Sequence, residues 1–244
     1  MKQSRFSSLL FYSMVFLLVS CSGGGTEKTT STDSTATDST AVVVAPKVTT
    51  ITTPQSMLVV THKVSNYAKW KTSYDEHDSA RLANGIHNYV IGRGFKDSNM
   101  IMVALKVDDT AKAKAFGKDP GLKKAMQKGG VIGTPTVVLN TMTFQDTVTM
   151  AIDLRARTTF TVKDWAAWEK AFEEGKQERL ENGIILRSYG HKSDDDKKVV
   201  LITAITDTAK AFAYYKSDMI KKRRAESGVI GEPERFLYRV VQRY

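Results

Sequence analysis

The chain has 244 residues, 41% hydrophobic and 25% charged, with 36 Lys and Arg against 26 Asp and Glu for a formal charge of +10. This composition suits one sizeable globular domain or two small ones and excludes collagen-like and wholly disordered chains. A single Cys excludes an intrachain disulfide framework and argues against a Cys-based metal centre.

Lys2 and Arg5 precede an almost wholly apolar run from Leu9 to Val19. A membrane-spanning helix needs roughly 20 apolar residues. This run is shorter, the length of a signal-peptide core. It ends in Leu18-Val19-Ser20-Cys21, which resembles the bacterial lipoprotein lipobox. The resemblance implies a signal peptide over residues 1–20, cleavage before Cys21 and lipid on its sulfur. Two or three acyl chains would anchor the chain stably in the cell envelope. The competing reading is an ordinary signal peptide that happens to contain Cys. Ser22 rather than Asp follows Cys21, so the periplasmic face of the outer membrane is the expected location. Residues 21–56 are rich in Ser, Thr and Gly and hold no aromatic residue. Too little apolar surface is available there to offset the entropy of ordering, and a disordered tether is expected.

Beyond the tether the sequence is written twice. Residues 67–135 align without a gap on residues 165–233, and roughly one position in three is identical. Arg81-Leu82 falls on Arg179-Leu180, Asn84-Gly85-Ile86 on Asn182-Gly183-Ile184, and Asp109 to Ala113 on Asp207 to Ala211. Gly130-Val131-Ile132-Gly133 falls on Gly228-Val229-Ile230-Gly231. The period is too long for a solenoid repeat of about 20–50 residues. It describes one small domain, copied, over residues 57–144 and 150–244.

Each copy predicts the same elements. Met57 to Val64 is a strand. Asn66, and Asp164 in the second copy, are the N-caps of a helix. Its stripe is Tyr67, Trp70, Tyr74, His77 and Arg81, matched by Trp165, Trp168, Phe172, Gly175 and Arg179. Asn84-Gly85 stops that helix. Ile86–Phe95 and Met100–Val107 form a hairpin around the Lys96–Asn99 turn. Asp109 or Thr110 caps a second helical region, broken at Gly117 and Pro120, that runs to about Lys128. Thr136–Met142 is the last strand.

The order β-α-β-β-α-β is the ferredoxin-like one, and the fold class is α+β. A four-stranded sheet with helices on one face leaves its other face bare. The second copy is the natural cover, so the two repeats are expected to pack sheet to sheet. Together with the Tyr67-x-x-Trp70 and Trp165-x-x-Trp168 helix starts and the Gly-Val-Ile-Gly-x-Pro segments, this order resembles the dimeric α+β barrel superfamily. The nearest likeness is its antibiotic-biosynthesis-monooxygenase-like group, here fused in tandem as an intramolecular pseudo-dimer expected to be monomeric. The resemblance implies a cleft between sheet and helices that takes a small, often aromatic or haem-like molecule.

The candidate ligand-binding residues are His62, Tyr74, His77, Arg81, Tyr89 and Arg179. His62 shares strand parity with Leu58, Val60 and Val64 and faces the apolar side. Such a His is more often a core residue than a catalyst. His77 stands where the second copy has Gly175, a sign of tight space or a gap. Arg81 and Arg179 are the charged residues kept on the helix stripe in both copies. They read as a carboxylate clamp or, more blandly, as helix-end cations lying over apolar surface. The first copy has the more polar and aromatic cleft and is expected to enclose the site. No His or carboxylate spacing suggests a metal, and neither a metal nor a cofactor is expected. The run Lys221-Lys222-Arg223-Arg224 reads as a solvated helix end, and nucleic acid is not an expected partner.

The function expected first is binding of a small apolar or aromatic ligand by an envelope-anchored barrel. The alternatives are a cofactor-independent monooxygenase or isomerase acting on such a ligand, and a non-catalytic scaffold or interaction protein. Sequence fingerprints of hydrolases, kinases and dehydrogenases are absent, and the catalytic residues, if any, are left unassigned.

Overall fold

A computed structural model describes residues 49–244. The expected signal peptide, Cys21 and the tether up to residue 48 lie outside the described residues. The end of the expected tether does not behave as one. Thr50–Ile51 form a short strand, β1, against residues 145 and 146, and β2 begins at Gln55. Backbone pairing captures residues whose side chains carry little apolar signal.

The first copy comprises β2 (Gln55–Val64), α1 (Tyr67–Glu76), α2 (Asp78–Ala83), β3 (Ile86–Gly94), β4 (Met100–Val107), α3 (Thr110–Phe116), α4 (Pro120–Lys128) and β5 (Val131–Asp146). The second repeats the series as β6 (Leu154–Val162), α5 (Trp165–Glu174), α6 (Lys176–Glu181), β7 (Ile184–Lys192), β8 (Asp195–Ile205), α7 (Thr208–Lys216), α8 (Asp218–Glu226) and β9 (Val229–Arg243). Local chemistry sets the helix starts. The Lys69 N–H donates to Asn66 Oδ1 at 2.9 Å and the Ala167 N–H to Asp164 Oδ1 at 2.7 Å. Asp109 accepts from the N–H groups of Ala111 and Lys112 in the same way.

The first helical stripe is not one continuous helix. It breaks at His77, and the second copy breaks at the equivalent Gly175. The bend folds α2 back so that the Arg81 guanidinium lies 3.7 Å over the Tyr74 ring, and α6 does the same with Arg179 over Phe172 at 3.6 Å.

The strands follow the order β5-β2-β4-β3-β9-β6-β8-β7, and β7 pairs back onto β5. Eight antiparallel strands therefore close into one barrel. The first copy's order, β5-β2-β4-β3, is matched by β9-β6-β8-β7 in the second. The last strand of the first copy is much longer than the expected Thr136–Met142, because it serves two partners. Its first part pairs with β2, and Asn140 to Gln145 pair with β7 of the other copy. The end of β9 pairs likewise with β3.

Strand parity then fills two kinds of core. In β2, Leu58, Val60 and Val64 face outward beneath the helices with Trp70, Ile101 and Phe116. Met57 and Val59 face the lumen with Met102, Met142, Val200 and Tyr238, residues of both copies. This is the α+β fold of two ferredoxin-like repeats joined as an intramolecular dimeric α+β barrel. Both seams pass through a glycine from the same place in the repeat. A Cβ on Gly92 would fall 2.3 Å from the Tyr238 ring, and one on Gly190 only 2.1 Å from the Thr141 carbonyl oxygen.

Candidate functional site

The six candidate residues are distributed among three places. His62, Tyr74, His77 and Arg81 belong to the helix-covered face of the first copy. His62 is 7% exposed, its ring 5.5 Å from that of Trp70, and neither ring nitrogen has a hydrogen-bond partner among the described residues. Burial pushes its pKa down to about 4, so the imidazole is neutral at pH 7. The Tyr74 hydroxyl donates to Asn88 Oδ1 at 2.5 Å. Asn88 Nδ2 and Arg81 both donate to Asp78 Oδ1, at 2.7 and 3.0 Å. Burial raises the Tyr74 pKa, which keeps the phenol neutral.

His77 packs against α3 and α4 of the first copy. Its ring stacks on Phe116 at 5.8 Å, while Trp70 and Tyr74 stack at 4.9 Å. Tyr89 is elsewhere, lining the barrel lumen.

Arg179 lies in the second copy, beside a cavity of about 80 Å³ between the sheet and the helices. This sheltered space belongs to the second copy, whereas the first was expected to enclose the site. The two copies differ here at the pair His77 and Gly175. With no side chain at 175, Arg179 and Arg223 come up against the backbone. A Cβ there would stand 3.0 Å from an Arg179 guanidinium nitrogen and 3.1 Å from Arg223 Cδ.

Two kinds of group line this cavity. Phe160, Trp168, Phe172, Tyr214 and Tyr215 supply aromatic walls, and Arg179, Arg223, Arg224 and Arg235 supply charge. Arg179 is 6% exposed; it donates to the Phe172 carbonyl, but its Nε and one terminal nitrogen have no partner among the described residues. Arg235 lies 3.6 Å over the Tyr215 ring, and its Nε is also without a partner among them. Desolvation lowers the pKa of both guanidiniums; an anion brought against them would offset that cost.

Two acids act on these arginines, Glu173 on Arg179 and Glu178, from α6, on Arg223 and Arg179. Glu178 accepts from Arg223 Nε at 2.9 Å and from the Tyr214 hydroxyl at 2.6 Å. The Arg223 hydrogen bond holds its carboxyl below the usual carboxylate range. Arg224 reaches Glu232 at 3.9 Å, a loose contact with a carboxylate that is 94% exposed. Four guanidiniums therefore line the cavity, with Glu178 hydrogen-bonded to Arg223 and Glu173 acting on Arg179 from nearby.

Arg223 and Arg224 are residues that sequence reasoning misplaced. In the basic run of α8, Lys221 and Lys222 are exposed as expected of a solvated helix end, but the two arginines turn inward to the cavity. Four cations in a row carry no periodicity to say so. The signal that existed was Gly175 opposite His77, read as a gap without showing which copy would hold it. Arg235 carried no signal in the sequence.

No family model and no curated protein matches the sequence. Solved structures do match the fold. A monooxygenase candidate from Fusobacterium nucleatum superposes with a TM-score of 0.52 at 12% identity, covering 78% of this chain and 93% of its own. An anthrone oxidase-like protein gives 0.51 at 13%, covering 77% and 92%. A monooxygenase candidate from Lactobacillus acidophilus gives 0.50 at 10%, covering 76% and 94%. At these identities the likeness is one of fold, the dimeric α+β barrel over nearly the whole of each neighbour, and function has to be argued from the site.

Proposed function

We propose that this chain is a lipid-anchored envelope protein that binds, in the cleft of its second copy, a small apolar or aromatic molecule carrying an anionic group. The observation that carries this reading is the buried Arg179 with two unpartnered N–H groups at an aromatic-walled cavity. Aromatic walls would take the apolar body and the arginine fork the carboxylate. The cavity, about 80 Å³, is smaller than the roughly 150 Å³ that accepts benzene. A ring-sized ligand therefore enters by displacing Arg224, whose ion pair with Glu232 is long.

Binding is favoured over turnover. Among the described residues, the cavity lining holds tyrosines and arginines as its titratable groups. The acid beside it, Glu178, is kept ionised by Arg223 and is a poor proton donor.

The test is a thermal-shift and calorimetric screen of small aromatic carboxylates against their uncharged amides. The carboxylate is expected to stabilise the protein and the amide to have little effect. Arg179→Met is expected to weaken binding tenfold or more, since a hydrogen bond to a charged group is worth about 1.5–3 kcal/mol. Equal responses to acid and amide would remove the anion from the reading, and no response to either would remove the ligand.

The anchor rests on Leu18-Val19-Ser20-Cys21. In the native bacterium, Cys21→Ala is expected to shift the protein from the membrane pellet to the soluble fraction. Unchanged sedimentation of the variant would count against lipidation.

A further inference from the structure

The barrel lumen is chemically unlike the second-copy cleft, and nothing in the ligand reading uses it. It holds a second cavity of about 60 Å³, several times what one water needs. Half of its wall is apolar, with Met57, Val59 and Met102 among its residues. The other side carries Arg155, Arg157, Arg187 and Arg243.

Arg155 and Arg157 alternate along β6 with Leu154 and Ala156, which face the helices. Closure of the barrel therefore buries Arg155 and half-buries Arg157. Arg155 is 2% exposed; one terminal nitrogen donates to the carbonyls of Ile152 and Leu154 at 2.7 and 3.0 Å, and the other has no partner among the described residues. Arg157 Nε has none either. Arg187 is 5% exposed and donates to Asp146 Oδ2 at 2.8 Å. Arg243 is exposed at the rim.

The acids within electrostatic reach do not balance this group. Asp146 is the lone carboxylate in the lining and is already paired with Arg187. Asp153 is engaged by Arg239 at 2.7 Å. Glu234, which acts on Arg157, is exposed. Buried guanidiniums without a counter-charge are costly, and the cavity beside them is large enough for the missing anion.

We infer that the barrel lumen is a binding site for a small tetrahedral oxyanion of the phosphate type, held by Arg155 and Arg157 and entered past Arg243 and Asp146. The oxyanion is either free or the terminal group of a larger molecule that reaches in from the rim. Ser188 and Tyr89, also in the lining, are placed to supply further hydroxyl donors.

Titration of the purified protein with orthophosphate, and separately with a phosphomonoester, against chloride at constant ionic strength tests this. Orthophosphate is expected to raise the melting temperature and bind saturably at one site. A phosphomonoester that binds at least as well identifies a tethered group as the source, and one that fails identifies the free ion. Arg155→Met is expected to weaken binding at least tenfold while raising the melting temperature of the ligand-free protein, because an uncompensated buried charge is removed. That pair of opposite effects separates a lost site from a damaged fold. Arg157→Met provides a second, less buried position with the same expected loss of binding. Arg179→Met, in the other cavity, leaves the phosphate response intact, so this inference and the proposed function fail separately. Absence of a saturable response to both ligands, or an undiminished response in both lumen variants, would overturn it.

Discussion

Gly190→Ala is expected to destabilise the protein by at least about 3 kcal/mol, the upper end of overpacking costs. The added methyl would lie 2.1 Å from the Thr141 carbonyl oxygen and 2.7 Å from Met142 Cα. Both atoms belong to the backbone of β5, which pairs with β7 in the register Met142↔Gly190. A flexible side chain could swing aside, but a paired backbone cannot without opening the seam. An opened seam leaves two bare strand edges and exposes the lumen core, so the variant is also expected to aggregate. The equivalent Gly92→Ala meets the Tyr238 ring rather than backbone and should cost less, because a ring can shift. Denaturant midpoints of the two variants and the parent check this ordering. An unchanged midpoint for Gly190→Ala would mean that the closed seam is not part of the folded state.

His62→Phe is expected to stabilise the protein, most strongly in mild acid. The second copy already holds the replacement. Phe160 lies 5.5 Å from Trp168 at an interplanar angle of 59°, and His62 lies 5.5 Å from Trp70 at 53°. The imidazole brings two nitrogens into that space that find no partner among the described residues. Each group so buried costs about 1–3 kcal/mol. The pH dependence follows from a folded pKa of about 4 against the ordinary 6.5. Above pH 6.5 the ring is neutral in both states. Between pH 6.5 and 4 the unfolded chain binds a proton that the native state refuses, so stability falls as the pH falls, by roughly 1.4 kcal/mol per unit. The total lost below pH 4 is about 3 kcal/mol by this reckoning. Substitution removes this slope, so the advantage of His62→Phe over the parent should grow from pH 7 to pH 4.5. A constant difference between the two across that range would show that His62 titrates normally in the folded protein.

Local features of the chain were legible wherever their cause was local. Asn66, Asp109, Asp164 and Asp207 are N-caps because each side chain reaches N–H groups two or three residues ahead, so the helix starts were readable. The break between α3 and α4 followed from Gly117 and Pro120. The outward face of β2 followed from alternation, and His62 lies on that face as expected. The length of β5 was not legible. Asn140 to Gln145 are extended by pairing with residues 188–192, a partner that composition near residue 142 does not announce. The break at His77 was likewise hidden, because the aromatic stripe continued through it.

The sequence by itself determined that one βαββαβ unit occurs twice and that each sheet has a face to cover, because duplication, periodicity and capping are written in neighbouring residues. It also offered histidine, tyrosine and arginine side chains of that unit as candidates for a site. How the two copies pack around the position of His77 and Gly175 was decided only in three dimensions. His77 fills its space against Phe116, whereas Gly175 admits the arginines of α6 and α8. The tertiary structure likewise made the inner faces of two sheets into one enclosed lumen. An alternating strand such as Leu154-Arg155-Ala156-Arg157 has two faces whose fates are not encoded in the alternation, and only the arrival of the second sheet buries the arginine face instead of leaving it to water.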